Sequence, residues 1–521
     1  MYRHKKYPRY AVMSAVAALA ISSLLIALKG GSSPLFNNIA IEMVVRSTLL
    51  WLFLFLGCIW VDRQWARKKQ ATQVIEGTTI LPPARFNKII RGDGIGIPCL
   101  VNGQTQLLKI PSDKERYHCL IAGDSGTGKS TIIHSMLLQA RTRGETCIIY
   151  DPSCEFWKKH SQPGDLLLHP LSPHCPNWQI TREITNPLNA KAVANSFLPD
   201  GNDITIKKDF WNLSAQRIFR ALLLRLQREG KGTAELLGWL REPKEIEKTV
   251  ERTEHAYLID ERAPEQQIGV LASLSEVAEL LSLLPTRGKP FSFHDWSQHR
   301  RGWIFIGTRG EEEREALRPL ISAWLDIALG KLMLQEDKNA PLTRIFLDEL
   351  PSLRRLPKLK SAVTEGRKYN VRFCLGFQGR SQVCEIYGKA AEALLSTPAT
   401  KIILRTSHYE AAAWGADIIG KPRQERPSQS YSESYASMLQ GIPRDSFSHR
   451  TERFVEHLII PNTIQNLEDR TGYLRFGRYV TPIRFDYVSI PPKSRFPERQ
   501  ALPERQVLAL PSPSRPKAKA S

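Results

Sequence analysis

The sequence has no H-E-x-x-H stretch and no G-x-S-x-G stretch, which argues against a membrane metalloprotease and an α/β-hydrolase nucleophile. It also lacks an N-K-x-D stretch for guanine recognition, so any nucleotide chemistry points to ATP. Its eight cysteines (Cys58, Cys99, Cys119, Cys147, Cys154, Cys175, Cys374 and Cys384) form no CxxC pair and no metal-binding spacing. Several lie inside apolar runs, where a free thiol behaves as a small hydrophobe. That usage belongs to a reduced, cytosolic compartment and not to a disulfide framework. No internal repeat occurs, and no strand signal is convincing from about 187 to 286.

What is present in excess is positive charge. With 521 residues, 42% apolar and 24% charged, the chain is long enough for two or three domains of ordinary composition. A formal net charge of +21 is not ordinary and implies a polyanionic partner, nucleic acid or an acidic membrane face. Residues 1–10 contribute +4 and residues 491–521 contribute +5, which leaves +12 on 11–490. A membrane anchor alone does not need a body that basic.

Two apolar runs open the chain, "AVMSAVAALAISSLLIAL" at 11–28 and "STLLWLFLFLGCIWV" at 47–61, the second reaching spanning length from about Met43. Basic residues flank the pair on both outer sides: Arg3, Lys5, Lys6 and Arg9 before it, Arg63, Arg67, Lys68 and Lys69 after it. The positive-inside rule then predicts an inner-membrane hairpin with both termini cytoplasmic and only a short outer loop. A cleaved signal peptide is the alternative for the first run. Its apolar part is long for that, and a second span follows.

Beyond Gln70, short apolar runs at 117–123, 146–152, 302–307, 343–349, 371–378 and 400–406 read as buried parallel strands. Helical stretches at Ser130–Arg143, Glu311–Leu334, Leu353–Lys368 and Arg380–Ser396 join most of them, so a doubly wound α/β domain is expected. The intervening region is read as an all-α insertion. One of its helices carries Phe210, Leu213, Phe219, Leu222, Leu223 and Leu226 on one stripe. Residues 421–450 lack periodicity and are expected as a long polar loop, and the Pro- and Lys-rich end as a disordered basic tail.

The chemistry starts at "GDSGTGKS", residues 123–130, which matches G-x-x-x-x-G-K-[ST] between a predicted strand and a predicted helix. Gly123, Asp124, Ser125, Gly126, Thr127, Gly128 and Thr131 form the cradle with Lys129 and Ser130. The glycines let amide N–H groups turn toward phosphates, Lys129 puts a cation on the β- and γ-oxygens, and Ser130 offers a hydroxyl to Mg²⁺. A phosphate loop also needs a carboxylate at a neighbouring strand end. "TRIFLDE" supplies Asp348 for the metal and Glu349 to orient and deprotonate water. Without the loop, that pair would read equally as a helix cap. Gln378 ends the next strand, placed to sense the γ-phosphate or simply a polar strand end. Arg367, just before that strand, is expected to face the same edge. There it reads either as surface charge or as an arginine finger for a neighbour's nucleotide.

The combination of a two-span anchor, "GDSGTGKS", a helical insertion, "FLDELPSL", "EGRKYN" and "GFQ" resembles the type IV secretion coupling proteins of the TraD/TrwB kind. The likeness runs over roughly 1–490, with "DFWNLSAQRIFRALL" and "PLSPHCPNWQ" adding to it. It implies a RecA-like P-loop ATPase domain, an all-α inserted domain, an N-terminal two-helix anchor and a hexameric ring. It also implies largely sequence-independent DNA binding, a relaxase-bound substrate and contact with secretion-channel components. By position, Lys129 and Ser130 become the Walker A pair and Asp348 and Glu349 the Walker B pair. Arg367 becomes the trans-acting arginine and Gln378 the sensor. Two departures bear on partners: the carboxy-terminal tail is short and basic where some relatives carry long acidic extensions, and the outer hairpin is short.

The expected layout is therefore 1–70 anchor, 71–186 first part of the motor domain, 187–286 helical insertion, 287–490 second part, and 491–521 tail. An ATP-driven DNA translocase of conjugation is the leading reading. A translocase of the FtsK/HerA type shares the motor core but usually has four spans and a winged-helix end, which are not evident. A membrane receptor that uses ATP only to assemble would need no stimulation by DNA.

Overall fold

A computed structural model describes residues 73–199, 206–259, 262–334, 340–434 and 444–493. Both apolar runs of the expected anchor and the tail from 494 onward lie outside the described residues. Among those described, no helix is long and apolar enough to cross a membrane.

The described chain forms two units. The larger, Gly77–Lys421 with the segment from His457 onward, is built on a ten-stranded sheet. Seven strands lie side by side and parallel, in the order Thr400–Leu404, Cys119–Ala122, Val371–Phe377, Thr343–Leu347, Thr146–Asp151, Ile304–Gly307 and Leu166–Leu168. Six of these are the apolar runs expected from the sequence. Beside Thr400–Leu404 the sheet continues with antiparallel strands Thr471–Phe476 and Tyr479–Arg484.

Why these runs form parallel strands is visible in where their side chains go. Leu120 and Ala122, Ile148 and Tyr150, and Ile345 and Leu347 enter a core on one face. Cys119 and Ile121, Cys147 and Ile149, and Phe346 enter a core on the other. A strand buried on both faces has no polar alternation to show. The helix Lys129–Thr142 covers the second face through Ile132, Ile133, Met136 and Leu137. The helix Glu311–Leu332 and the helices between Pro187 and Ser282 cover the first. No strand occurs among the described residues of that helical stretch.

Several expectations fail for local reasons. The stretch Leu353–Lys368 starts late, as an α-helix over Leu359–Glu365 that tightens into a 3-10 helix over Gly366–Tyr369, because Pro357 disfavours the helical conformation at the residue before it and removes a donor. The stretch Arg380–Ser396 breaks into Arg380–Tyr387 and Ala390–Ser396 around Gly388, whose φ is 51°. In the helix Ile206–Arg228, Phe210 and Leu213 are exposed, and the buried stripe starts instead at Ala215 and Ile218.

The smaller unit holds the region expected as a polar loop. It is an antiparallel pair, Arg423–Ser434 with Arg444–Val455, flanked by Gln73–Glu76. Its ladder is made by backbone groups, so a segment of Ser, Gln, Arg and Glu can form it without the apolar alternation that marks a strand in sequence.

At the strand-start edge of the parallel sheet, Arg344 is buried between Glu115, at 2.5 Å, and Glu145. Arg143 lies 2.9 Å from Glu145, and Arg372 also pairs with Glu115. Burial is the largest influence on Glu115 and opposes its charge, but Arg344, the Ile95 amide and Arg143 together hold the carboxyl below its ordinary value. Removing the central cation leaves two buried carboxylates short of their partner. Arg344→Ala is expected to cost about 3–5 kcal/mol of stability in urea unfolding; a loss below about 1 kcal/mol would contradict a structural role for the cluster.

Candidate functional site

Every strand that carries a candidate residue at its end delivers it to the same edge of the sheet. The strand Cys119–Ala122 runs into the loop 123–128, and the helix begins at Lys129. Gly126 and Gly128 have φ of 78° and 108°, a left-handed conformation that glycine adopts without strain. A side chain at Gly128 would also meet the Phe485 ring at 2.9 Å. The Thr127 hydroxyl donates to the Asp124 carbonyl at 2.7 Å and braces the loop from inside. Ser125 is exposed at its tip, and Thr131 is buried in the first helical turn.

Lys129 is buried, and its ammonium donates to the carbonyls of Gly123 at 2.7 Å and Asp124 at 3.0 Å. Burial lowers its pKa, against the pull of Glu349, Asp348 and Asp124. Ser130 donates its hydroxyl to Asp348 Oδ2 at 3.3 Å. Asp348 Oδ1 is buried with no partner. An orphaned carboxylate oxygen beside a serine hydroxyl matches the hard-oxygen donors that Mg²⁺ takes, so Ser130 and Asp348 fit the metal. Burial raises the Asp348 carboxyl to about 6, Lys129 pulling it down and Glu349 pushing it up. Glu349 is also raised, chiefly by burial, and its Oε2 accepts the Gln378 amide at 3.1 Å.

Lys129, Ser130, Asp348, Glu349 and Gln378 thus come together. Arg367 does not join them. It lies in the turn Gly366–Tyr369 ahead of the strand Val371–Phe377, hence at the opposite edge, about 20 Å of strand away. Its guanidinium donates to the Tyr117 hydroxyl at 3.3 Å, the ring centroid 5.7 Å away. The expectation that it faces the same edge as Gln378 is corrected: residues before and after a strand end up on opposite sides of a parallel sheet.

Two residues are missed by sequence reasoning. Asp151 ends the strand beside that of Asp348 and is fully buried. Its carboxylate accepts the amides of Glu155 at 3.0 Å and Trp157 at 2.9 Å. Burial raises it to about 7, and Asp348 adds to the rise. The "IIYDP" pattern, an apolar run closing on Asp, was its signal. Tyr117, the partner of Arg367, had none.

A proton on Asp348 would compete with a metal held there. Its pKa of about 6 lies above the ordinary 3.8, so below pH 6 a proton must leave before Mg²⁺ binds. Mg²⁺-dependent nucleotide affinity is expected to fall toward about tenfold per pH unit below that value, and Asp348→Asn to flatten this part of the profile. Fluorescent-nucleotide titrations from pH 7.5 to pH 5 check it; identical profiles for both proteins would contradict it.

Residues 104–486 match the sequence model of the type IV secretion-system coupling protein DNA-binding domain. The coupling protein TraD of Escherichia coli (strain K12) is 28% identical over 459 residues, covering 85% of this chain and 62% of that protein. The chain therefore spans less than two thirds of that relative's length. Among solved structures, the bacterial conjugative coupling protein TrwBdeltaN70 in its unbound monoclinic form is 24% identical. It gives a TM-score of 0.71 over 82% of this chain and 96% of that one, which shows the fold. The plasmid coupling protein TrwB in complex with ADP and Mg²⁺ gives a TM-score of 0.70 at 25% identity, over 81% and 97% of the two chains.

Proposed function

The chain belongs to the type IV secretion-system coupling protein family, and from that premise we propose that it is an ATP-driven DNA translocase of conjugation. It would sit in the inner membrane through the runs 11–28 and 43–61 with both termini cytoplasmic, assemble as a homo-hexamer, and pass relaxase-bound DNA to a secretion channel. The observation that carries this reading is the meeting of Lys129, Ser130, Asp348, Glu349 and Gln378 at one sheet edge. TrwB taken with ADP and Mg²⁺ supports ATP and Mg²⁺ as the ligands here.

Lys129 is placed to leave its two carbonyls for the β- and γ-phosphoryl oxygens, and the loop amides to hold them. Ser130 and Asp348 would hold Mg²⁺, which neutralises charge on those oxygens when bound. Glu349, raised by burial, takes the proton of the attacking water. Gln378 donates to the base at 3.1 Å, so it can report the γ-phosphate to Glu349. Arg367 cannot reach this nucleotide within its own chain. In a ring, one subunit's strand-start edge can face the next subunit's loop, and Arg367 then stabilises charge on a neighbour's ATP. The +12 on residues 11–490 suits a channel that tracks phosphates with little sequence preference.

Lys129→Ala is expected to abolish both nucleotide binding and DNA transfer between cells. Arg367→Ala should keep nucleotide binding but lose DNA-stimulated hydrolysis by about 10³-fold. Normal hydrolysis by that variant would return Arg367 to surface charge, and full transfer by Lys129→Ala would sink the motor.

A further inference from the structure

The helix Pro83–Ile90 is the first of the larger unit, and it starts 22 positions after Val61, where the second apolar run ends. Its inner side is fixed by Phe86, fully buried in the core on the second face of the sheet. Asn87 ties it to the strand Gln104–Lys109, its Nδ2 donating to the Leu107 carbonyl at 2.9 Å and its Oδ1 accepting the Lys109 amide at 3.0 Å. The outer side is left to solvent. Arg85 and Ile89 lie one turn apart there, with Lys88 beside them and Arg91 at the C-cap, all exposed. Ile89 keeps 45% of its surface in water. No acid balances this charge: neither 77–92 nor 101–111 contains an Asp or Glu. Arg85, Lys88, Arg91 and Lys109 form no ion pair among the described residues. Asp93, the next acid along the chain, is occupied by the Ser112 amide and hydroxyl, both at 2.8 Å.

We propose that this helix docks the larger unit on anionic lipid headgroups of the membrane that the spans cross, with Ile89 entering the acyl boundary. The proposal rests on the reading of 11–28 and 43–61 as spans. Charge complementarity supplies the contact, since each Lys or Arg within a Debye length of a negatively charged leaflet is drawn to it. Chain length supplies the concentration. An extended chain from Val61 to Pro83 reaches at most about 75 Å, so the helix never leaves the neighbourhood of the bilayer. Arg63, Arg67, Lys68 and Lys69 on that connection favour the same surface. A free helix of eight residues is too short to hold a membrane alone, but a tethered one adds its contacts at no cost of encounter. Ile89 selects lipid over nucleic acid. Its alkyl chain gains by leaving water for acyl chains and gains nothing from phosphates, and the outer side of the helix offers no aromatic face to a base. Docking fixes the tilt of the larger unit against the bilayer.

Hydrogen exchange in the full-length chain tests this, with the protein embedded in nanodiscs of phosphatidylcholine alone or of phosphatidylcholine mixed with phosphatidylglycerol. The amides of 84–91 are expected to exchange about tenfold more slowly in the anionic discs, and the difference to vanish at high salt. Arg85→Gln combined with Lys88→Gln, both exposed side chains, should remove it, because each charge lost lowers the docked-to-free ratio about fivefold. Equal exchange in the two discs, or a difference that survives the double substitution, overturns the proposal. So does protection of the same amides by oligothymidylate in neutral discs, which would make the face a nucleic-acid surface. Failure of the chain to enter either disc would count against the spans alone. Anionic and neutral vesicles added to that protein then replace the discs, with the same expected and contrary results.

Discussion

An ammonium can be buried only where negative charge or carbonyl oxygens replace its water. Lys129 satisfies this with two loop carbonyls at its Nζ and the nearby carboxylates of Glu349, Asp348 and Asp124. The rest of the larger unit is arranged to make that possible. The loop strand and the Asp348 strand must both end at one edge, which in a parallel sheet requires a long crossover between them. The strand Val371–Phe377 lies between the two, and its end brings Gln378 against Glu349. The cluster is electrically tense: burial raises both acids while lowering the lysine. Phosphates and a divalent cation bound there would relieve that tension from both sides.

The same parallel topology that gathers five residues at one edge sends Arg367 to the other. On the proposed reading neither edge is complete alone: one would hold the phosphates, the metal and the base, and the other has a guanidinium bonded to Tyr117. Joining unlike edges is a heterologous contact, and repeated contacts of that kind close into a ring or run on as a filament. Membership in the coupling protein family favours the ring. The buried Glu115, Arg344 and Glu145 cluster lies at the strand-start edge as well, so the surface that carries Arg367 is backed by charge pairs and not by a soft apolar core.

Much of this was legible in the sequence because the physics is local. Six apolar runs marked six parallel strands, and "GDSGTGKS" and "FLDE" sat at strand ends where side chains have one edge to occupy. What stayed hidden depended on partners distant in the chain. Tyr117 meets Arg367 only because the strands they precede are adjacent in the sheet. Arg367 belongs to the strand-start edge because it precedes the strand Val371–Phe377, a consequence of topology that its local sequence does not show. The pair Arg423–Ser434 and Arg444–Val455 carries no apolar alternation. Phe210 and Leu213 follow the helical period yet fall where no neighbour covers them.

The claim on which the account depends is that one ATP is served by two subunits. Mixing Lys129→Ala chains with Arg367→Ala chains, each inactive alone, tests it most directly. Random assembly restores a junction wherever an intact Lys129 meets an intact Arg367, so DNA-stimulated hydrolysis should recover to roughly a quarter of the unmodified rate. A mixture as inactive as its parents would contradict the shared site.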